Sequence, residues 1–206
     1  MSIYSYIVRY DSGFAPNPFY GICTLATCKP LIRKHAAIGD WITGCGSADR
    51  AVKRGDHIVY AMRVTETLTF HQYNADPRFE RKKPVRNGSR KQSAGDNIYF
   101  PAAGTGGWSQ RDSFHSLANG IPNPKHVAND TQVDRVLLSD DYVYFGGEGP
   151  GFPADLQDKN GRHICKTGIG RSKFTDVGME NKLTAWLHSI GPKGLQGSPF
   201  EWLSLR

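Results

Sequence analysis

The chain has 206 residues, 38% of them hydrophobic and 22% charged, which excludes a disordered or fibrous protein and allows a core that needs no staples. No stretch approaches the ~20 apolar residues of a membrane helix and no signal peptide is evident, so the expectation is a cytoplasmic protein without a membrane partner, its cysteines Cys23, Cys28, Cys45 and Cys165 free. The net charge of +7 falls wholly within residues 1–103, where 15 Lys/Arg face 8 Asp/Glu, and this points to an anionic partner, nucleic acid or a nucleotide.

Ile3 to Tyr10 alternates and predicts a strand with Tyr4, Tyr6, Val8 and Tyr10 on one face of a half-buried sheet. Asp11 to Gly21 holds two prolines and two glycines and predicts a loop. That loop nevertheless carries Phe14, Phe19 and Tyr20, which either plug a barrel end or stack on a base. A short helix is expected over 29–37, with Pro30 in its first turn, Leu31, Ile32 and Ala36 facing inward, and Lys29, Arg33 and Lys34 outward. Gly39-Asp40 and Gly55-Asp56 each feed an apolar run, the first at Trp41 and Ile42, the second over Ile58 to Val64. Two paired strands joined by a charged loop follow from this, with the rest of the chain wrapped around them.

A second helix is expected over 68–75, capped by Thr69 and stopping before Asp76-Pro77. Arg78, Arg81, Lys82, Lys83, Arg86, Arg90 and Lys91 then place 7 cations in 14 residues, with Glu80 the acid among them. Pro84, Asn87, Gly88 and Ser89 make this run a loop, and its density reads as a phosphate-contacting arm. A strand at Asn97 to Phe100 and a glycine-rich turn lead to Trp108 as a hairpin. Ser113 to Leu117 opens a polar, Pro- and Asn-rich loop reaching Asp130. Val133 to Leu138 and Tyr142 to Phe145 predict strands of one hairpin, turned at Asp140-Asp141. Met179, Leu183, Trp186, Leu187 and Ile190 make a helical stripe over 179–190, capped by Asp176 and stopped by Gly191-Pro192. Phe200, Trp202, Leu203 and Leu205 predict a tail that packs back.

The stacking candidates are Phe14, Phe19, Tyr20, Trp41 and Trp108, with the basic arm as their phosphate-binding complement. Cys23 and Cys28, with Cys45 and either Cys165 or His35, have spacings a zinc site would tolerate, but free cysteines are ordinarily small buried hydrophobes, so no metal and no cofactor is expected. Among the histidines His115 is the best candidate for a ligand contact, and a cysteine–histidine nucleophile pair has no local motif to mark it. For an enzyme the polar candidates are His115, Asp112, Ser113, Arg9 and Asp11.

Longer motifs carry a resemblance. Tyr4 to Phe19, Cys28-Lys29-Pro30, Ile38 to Ile42, Tyr60 to Thr65, Asp76 to Phe79, Gly95 to Tyr99, Asp112 to Ser116, Asp134 to Asp140 and Tyr142 to Gly147 together resemble the second type of nucleotide modification-associated domain, over most of residues 3–190. The resemblance implies a place in DNA- or nucleotide-modification systems and assigns no catalytic residue. More loosely, the helix before Gly39-Asp40 and the Asp76-Pro77 motif are similar to PUA-like barrels that read modified bases. The expected fold is therefore α+β. It is a single domain over 1–206 built on a PUA-like mixed, partly closed β-barrel covered by short helices, with an inserted loop region at about 89–125. The expected function is binding of modified-base nucleic acid or a modified nucleotide. The alternatives are an enzyme modifying or hydrolysing a nucleotide or nucleobase, and a structural partner in a modification complex.

Overall fold

Short β-branched and aromatic runs bounded by Gly, Pro, Asp or Ser become the strands. They are β1 (Ile3–Val8), β2 (Cys23–Leu25), β3 (Trp41–Gly46), β4 (Ile58–Arg63), β5 (Glu66–Leu68), β6 (Tyr99–Pro101), β7 (Trp108–Gln110), β8 (Val136–Ser139), β9 (Asp141–Tyr144), β10 (Arg171–Phe174) and β11 (Gly194–Leu195). The helices are α1 (Pro30–His35), α2 (Phe70–Ala75), α3 (Arg90–Ser93), α4 (Pro124–Thr131), α5 (Val177–Ser189) and α6 (Phe200–Leu203), with a 3-10 turn over Pro77–Lys82. The computed structural model describes residues 1–104, 106–165, 168 and 170–203. The chain divides into two compact units, the first made of Met1–Ser12, Ala36–Thr65 and Ser139–Arg206, the second of Gly13–His35 and Glu66–Leu138.

The first unit is built on a six-stranded sheet in the order β10-β1-β3-β4-β9-β11. The two strands led by Gly-Asp pairs, β3 and β4, lie antiparallel at its centre, and β1 runs parallel to β3 with Ile3 opposite Trp41. β1 is buried on both faces except at Ile7, where the sequence predicts a half-buried strand; the Tyr6 and Tyr60 hydroxyls meet at 2.9 Å. Helix α5 starts at Asp176, whose Oδ1 accepts the Met179 N–H at 3.0 Å. It sets Met179, Leu183 and Leu187 into a core with Trp41, Ile58, Ala61, Val143 and Phe174. Cys45 and Cys165 form a disulfide, so these two are not the free thiols expected. The C-terminal segment returns through α6, where the Phe200 N–H reaches Asp11 Oδ2 at 2.9 Å; Leu205 lies outside the described residues.

The second unit holds the sheet β2-β8-β5, the hairpin β6-β7, and helices α1 to α4. Helix α2 begins with a capping box in which Thr69 and Gln72 satisfy each other's backbone N–H groups. Phe14, Phe70, Tyr73, Phe79, Ile98, Tyr99, Val136 and Leu138 form the core of this unit. The basic run is not simply a loop: it passes through the 3-10 turn and α3.

No barrel forms. The strands make three separate sheets, and the two edges of the largest, β10 and β11, pair with β1 and β9 and not with each other. Edges of four and two residues offer too few ladder bonds to close a sheet on itself. The expected β8–β9 hairpin is also absent. β8 pairs with β5 and β9 with β4, and the chain changes sheet at a tight turn where the Asp141 N–H bonds Ser139 Oγ at 3.1 Å. Helix α1 is rotated relative to expectation: Arg33 is fully buried and Leu31 is 51% exposed.

The α5 stripe gives a direct test. Leu183 is 0% exposed and Val177, on the same helix, 65% exposed. Leu183→Ala is expected to destabilise the first unit by about 2–5 kcal/mol in chemical denaturation, and Val177→Ala by less than about 0.5 kcal/mol. Equal costs at the two positions would show that the stripe does not face the core.

Candidate active site

The second unit brings three side chains from distant parts of the sequence onto one hydrogen-bonded line. Cys28 Sγ lies 3.5 Å from His115 Nε2, and His115 Nδ1 lies 2.9 Å from Asp130 Oδ2. An ionised carboxylate only accepts, so Nδ1 carries the proton donated to Asp130 and Nε2 is the nitrogen that faces the sulfur.

Each member is fixed by its local fold. Cys28 and Lys29 form the turn between β2 and α1 and adopt left-handed backbone conformations, with φ of 57° and 41°. Such angles on residues other than glycine cost about 1 kcal/mol or more each and tend to occur where a side chain must be held at a sharp bend. Both backbone groups of Cys28 are held: its N–H donates to Asp130 Oδ1 at 2.9 Å and its carbonyl accepts from Arg33 Nε at 3.0 Å. Arg33 also gives hydrogen bonds to the carbonyls of Val133 and Arg135, both at 2.7 Å, and of Asp130. It thereby ties the Cys28 turn to the C-terminal end of α4, where carbonyls lack helical partners.

Asp130 stands on α4, which starts at an Asn123 cap followed by Pro124. Its buried carboxylate takes four hydrogen bonds. Oδ1 accepts from the Cys28 N–H and from Asn129 Nδ2 at 3.0 Å; Oδ2 accepts from His115 and from the Tyr99 hydroxyl at 2.9 Å. Burial alone raises the Asp130 pKa, but the hydrogen bonds from His115 and Tyr99 and the His115 and Arg33 charges carry it below the usual carboxylate value. His115 lies in the loop after β7, its N–H on Ser113 Oγ at 3.2 Å and its carbonyl 3.4 Å from Gln110 Nε2. Burial opposes its charge, yet the bonds to Asp130 and Cys28 outweigh that and raise its pKa to about 9. The His126 ring, one turn before Asp130 on α4, lies 4.0 Å from the His115 ring, and its pKa is lowered by burial and by the neighbouring imidazole.

The donor atoms of Cys28, His115 and Asp130 all lie within 4.8 Å of one another, close enough to draw in a metal ion. The bonding favours the bare triad. Asp130 spends both oxygens on four donors and His115 spends Nδ1 on Asp130, which leaves a cation only Sγ and Nε2.

Of the other enzyme candidates, Ser113 is buried beside His115, while Asp112 is exposed with Arg86 at 3.6 Å. Arg9, exposed and paired with Asp49 at 3.1 Å, and Asp11, buried and bonded to the Tyr144 hydroxyl, belong to the first unit. Among the stacking candidates, Phe14 is buried edge-on to His115, with ring centres 4.8 Å apart. Phe19 is 2% exposed with Lys91 5.8 Å over its ring, and Tyr20 is half-buried under Arg81 at 4.2 Å. Trp108 is half-buried against Phe70, and Trp41 lies in the core of the first unit. In the basic arm, Arg81, Arg86, Arg90 and Lys91 are exposed, Arg78 is clasped by Glu66 and Asp76, and Lys83 is on Glu80. Lys82 is 1% exposed, its ammonium on Asn17 and Thr24.

Sequence reasoning missed Asp130, Arg33, Tyr99 and His126, and took Cys28 as a packing residue. The usable signal for α4 was Asn123-Pro124, an N-cap followed by proline at the first helical position, which puts His126 and Asp130 four apart on one face.

Among the described residues no helix is long and apolar enough to cross a membrane. No curated protein and no solved structure matches the chain significantly. The family model for nucleotide modification associated domain 2 matches residues 1–206, and the chain belongs to that family.

Proposed function

We propose that the chain is a thiol enzyme acting on a nucleotide or on a base within nucleic acid, by acyl-transfer-type substitution at an electrophilic carbon. The observation that carries this reading is the Cys28–His115–Asp130 line, with the histidine between nucleophile and orienting carboxylate. At neutral pH His115 Nε2 already holds the proton of the Cys28–His115 pair, because the His115 pKa is raised to about 9; Sγ bonds to the substrate carbon and Nε2–H passes that proton to the departing group. A water or acceptor nucleophile, deprotonated at the same nitrogen, breaks the sulfur–carbon bond and restores the pair with its proton on Nε2. Asp130 holds the Nδ1–H tautomer and balances the imidazolium charge. The substrate class rests on the family and on charge. The second unit carries 13 Lys/Arg against 7 Asp/Glu, so nearly all of the +7 belongs to the unit that holds the triad. Exposed Arg81, Arg86, Arg90 and Lys91 are suited to phosphate, and the binding role read from the sequence becomes substrate recognition.

Two measurements test this. Cys28 is expected to react with iodoacetamide at neutral pH under non-reducing conditions, while Cys23, whose thiol burial pushes up to about 12, stays unlabelled. His115→Ala should slow labelling of Cys28 at least about tenfold. The same chain, incubated with oligonucleotides and free nucleotides bearing acyl- or amide-modified bases, should give a mass-detectable Cys28 adduct. Cys28→Ser should bind these probes and turn none over. Turnover by Cys28→Ser, or Cys28 labelling indifferent to His115, refutes the mechanism, and binding without turnover in the parent chain returns the protein to the class of readers.

The second measurement uses pH. The folded chain keeps the His115 proton up to about 9, while the unfolded chain releases it near 6.5, so the stabilisation is complete below 6.5 and is lost as pH rises through about 9. Lys82 contributes in the opposite sense above about 8, because burial lowers its pKa to that value. His115→Gln leaves Lys82 untouched, so the difference in melting temperature between parent and variant should shrink as pH rises from 6 to 9.5. A difference that stays constant over that range contradicts the coupling.

A further inference from the structure

The first unit holds a second cluster of donors. Asp56, His163 and Cys165 each offer one donor atom, and these atoms all lie within 4.8 Å of one another. Cys165 is bonded to Cys45, so a second sulfur stands beside the first. The backbone around them is tied together. The Phe152 N–H bonds the Asp56 carbonyl at 2.7 Å, His57 bridges to Gly151, and His163 bridges to Gln157.

The imidazole is set for ligation. His163 Nε2 lies 3.1 Å from the Pro153 carbonyl, which only accepts, so Nε2 carries the proton. Nδ1 then keeps its lone pair, turned toward Cys165, whose N–H it accepts at 3.2 Å. A histidine that gives one N–H to a backbone carbonyl and keeps the other nitrogen unprotonated is the arrangement that orients metal-binding histidines, and here a metal would take the place of the Cys165 N–H on Nδ1. The Asp56 carboxylate is exposed and makes no hydrogen bond or ion pair with any described residue. Cys45 sits where the β3–β4 register breaks, between Gly44 and Cys45, a bulge that loosens the strand at the sulfur.

Two thiolates, an imidazole nitrogen and a carboxylate oxygen make a donor set for tetrahedral zinc. We propose that Cys45, Cys165, His163 and Asp56 form a redox-gated zinc site, closed while the two sulfurs are joined and opened by a dithiol reductant. The dithiol is oxidised to a disulfide as the Cys45–Cys165 bond is reduced to two thiols. Zn²⁺ then displaces two protons and binds both thiolates with His163 Nδ1 and an Asp56 oxygen. Donors around tetrahedral zinc stand about 3.5 Å apart, so the bonded sulfurs must separate, while the Asp56, His163 and Cys165 donors already lie within 4.8 Å of one another. The site would couple the state of the first unit to the thiol poise of its surroundings.

The test uses the full chain carrying Cys28→Ser, so that no thiolate signal arises from the triad. After dithiothreitol reduction and its removal without air, Co²⁺ is titrated in and absorbance is read. The reduced chain should bind one equivalent with tetrahedral d–d bands and a thiolate charge-transfer band, which zinc then abolishes. The oxidised chain should show neither band. Cys165→Ser should remove most of the charge-transfer intensity, and His163→Ala or Asp56→Ala should weaken Co²⁺ binding at least about tenfold. Melting curves of the reduced chain run alongside: a melt raised or restored by Co²⁺ supports the site, whether or not the reduced chain folds unaided. A reduced chain whose spectrum and melt ignore Co²⁺, or binding of equal strength in the oxidised chain, overturns the proposal.

Discussion

The second unit depends on one buried carboxylate. Asp130 is 0% exposed, and placing an ion there costs several kcal/mol unless its lone pairs are filled. They are filled from four directions, by the Cys28 backbone, Asn129, the Tyr99 hydroxyl and His115. Charge-assisted hydrogen bonds are roughly twice as strong as neutral ones, so these four both offset the burial and fix where three segments meet. Position and chemistry thus come from the same atoms. Oδ1 holds the backbone that carries the sulfur, and Oδ2 holds the ring that faces it.

Arg33 is the other half of this arrangement and shows why part of the site was illegible in the sequence. A stripe-based reading of α1 turns Leu31 inward and Arg33 outward, because a charge is expensive in a core. That rule fails where the fold offers the charge enough acceptors. The end of α4 and the residues after it present three carbonyls, and the Cys28 turn presents a fourth. A guanidinium satisfies all of them with donors held in one plane, which no apolar side chain could do. The local signal for α1 was sound; its rotation was decided by residues a hundred positions away.

The same division runs through the fold. The helices at α2 and α5, with their Thr69 and Asp176 caps, the β6–β7 hairpin and the central pair β3–β4 were legible, because each rests on neighbouring residues. Which sheet a strand joins was not. The Val136–Ser139 and Asp141–Tyr144 runs look like the arms of a hairpin, yet they pair into different sheets. Alternation and turn residues specify that a strand exists and which face is apolar; they say nothing about its neighbour. The barrel failed for that reason, and family resemblance could not repair it. Within the site, His115 stood out because a polar loop holding a histidine invites a ligand. Asp130 did not, because its helix is short and polar and its partners come from residues 28 and 115.

The two free thiols show what the fold adds to residue type. Cys23 and Cys28 are five residues apart in one stretch, and nothing in that stretch distinguishes them. Cys23 is on β2, fully buried, where burial pushes its thiol up to about 12 despite the Lys82 charge nearby. Cys28 lies past the end of the same strand, at the left-handed turn, half-buried and facing an imidazole. A thiol becomes a nucleophile by access and by a base within reach. Cys23 lacks the access. For Cys28 the strained turn supplies partial access, and the His115–Asp130 pair sets a ring whose pKa is raised to about 9 at 3.5 Å from the sulfur. The backbone strain at residues 28 and 29 is therefore best understood as the cost of lifting one sulfur out of the strand and setting it before the ring.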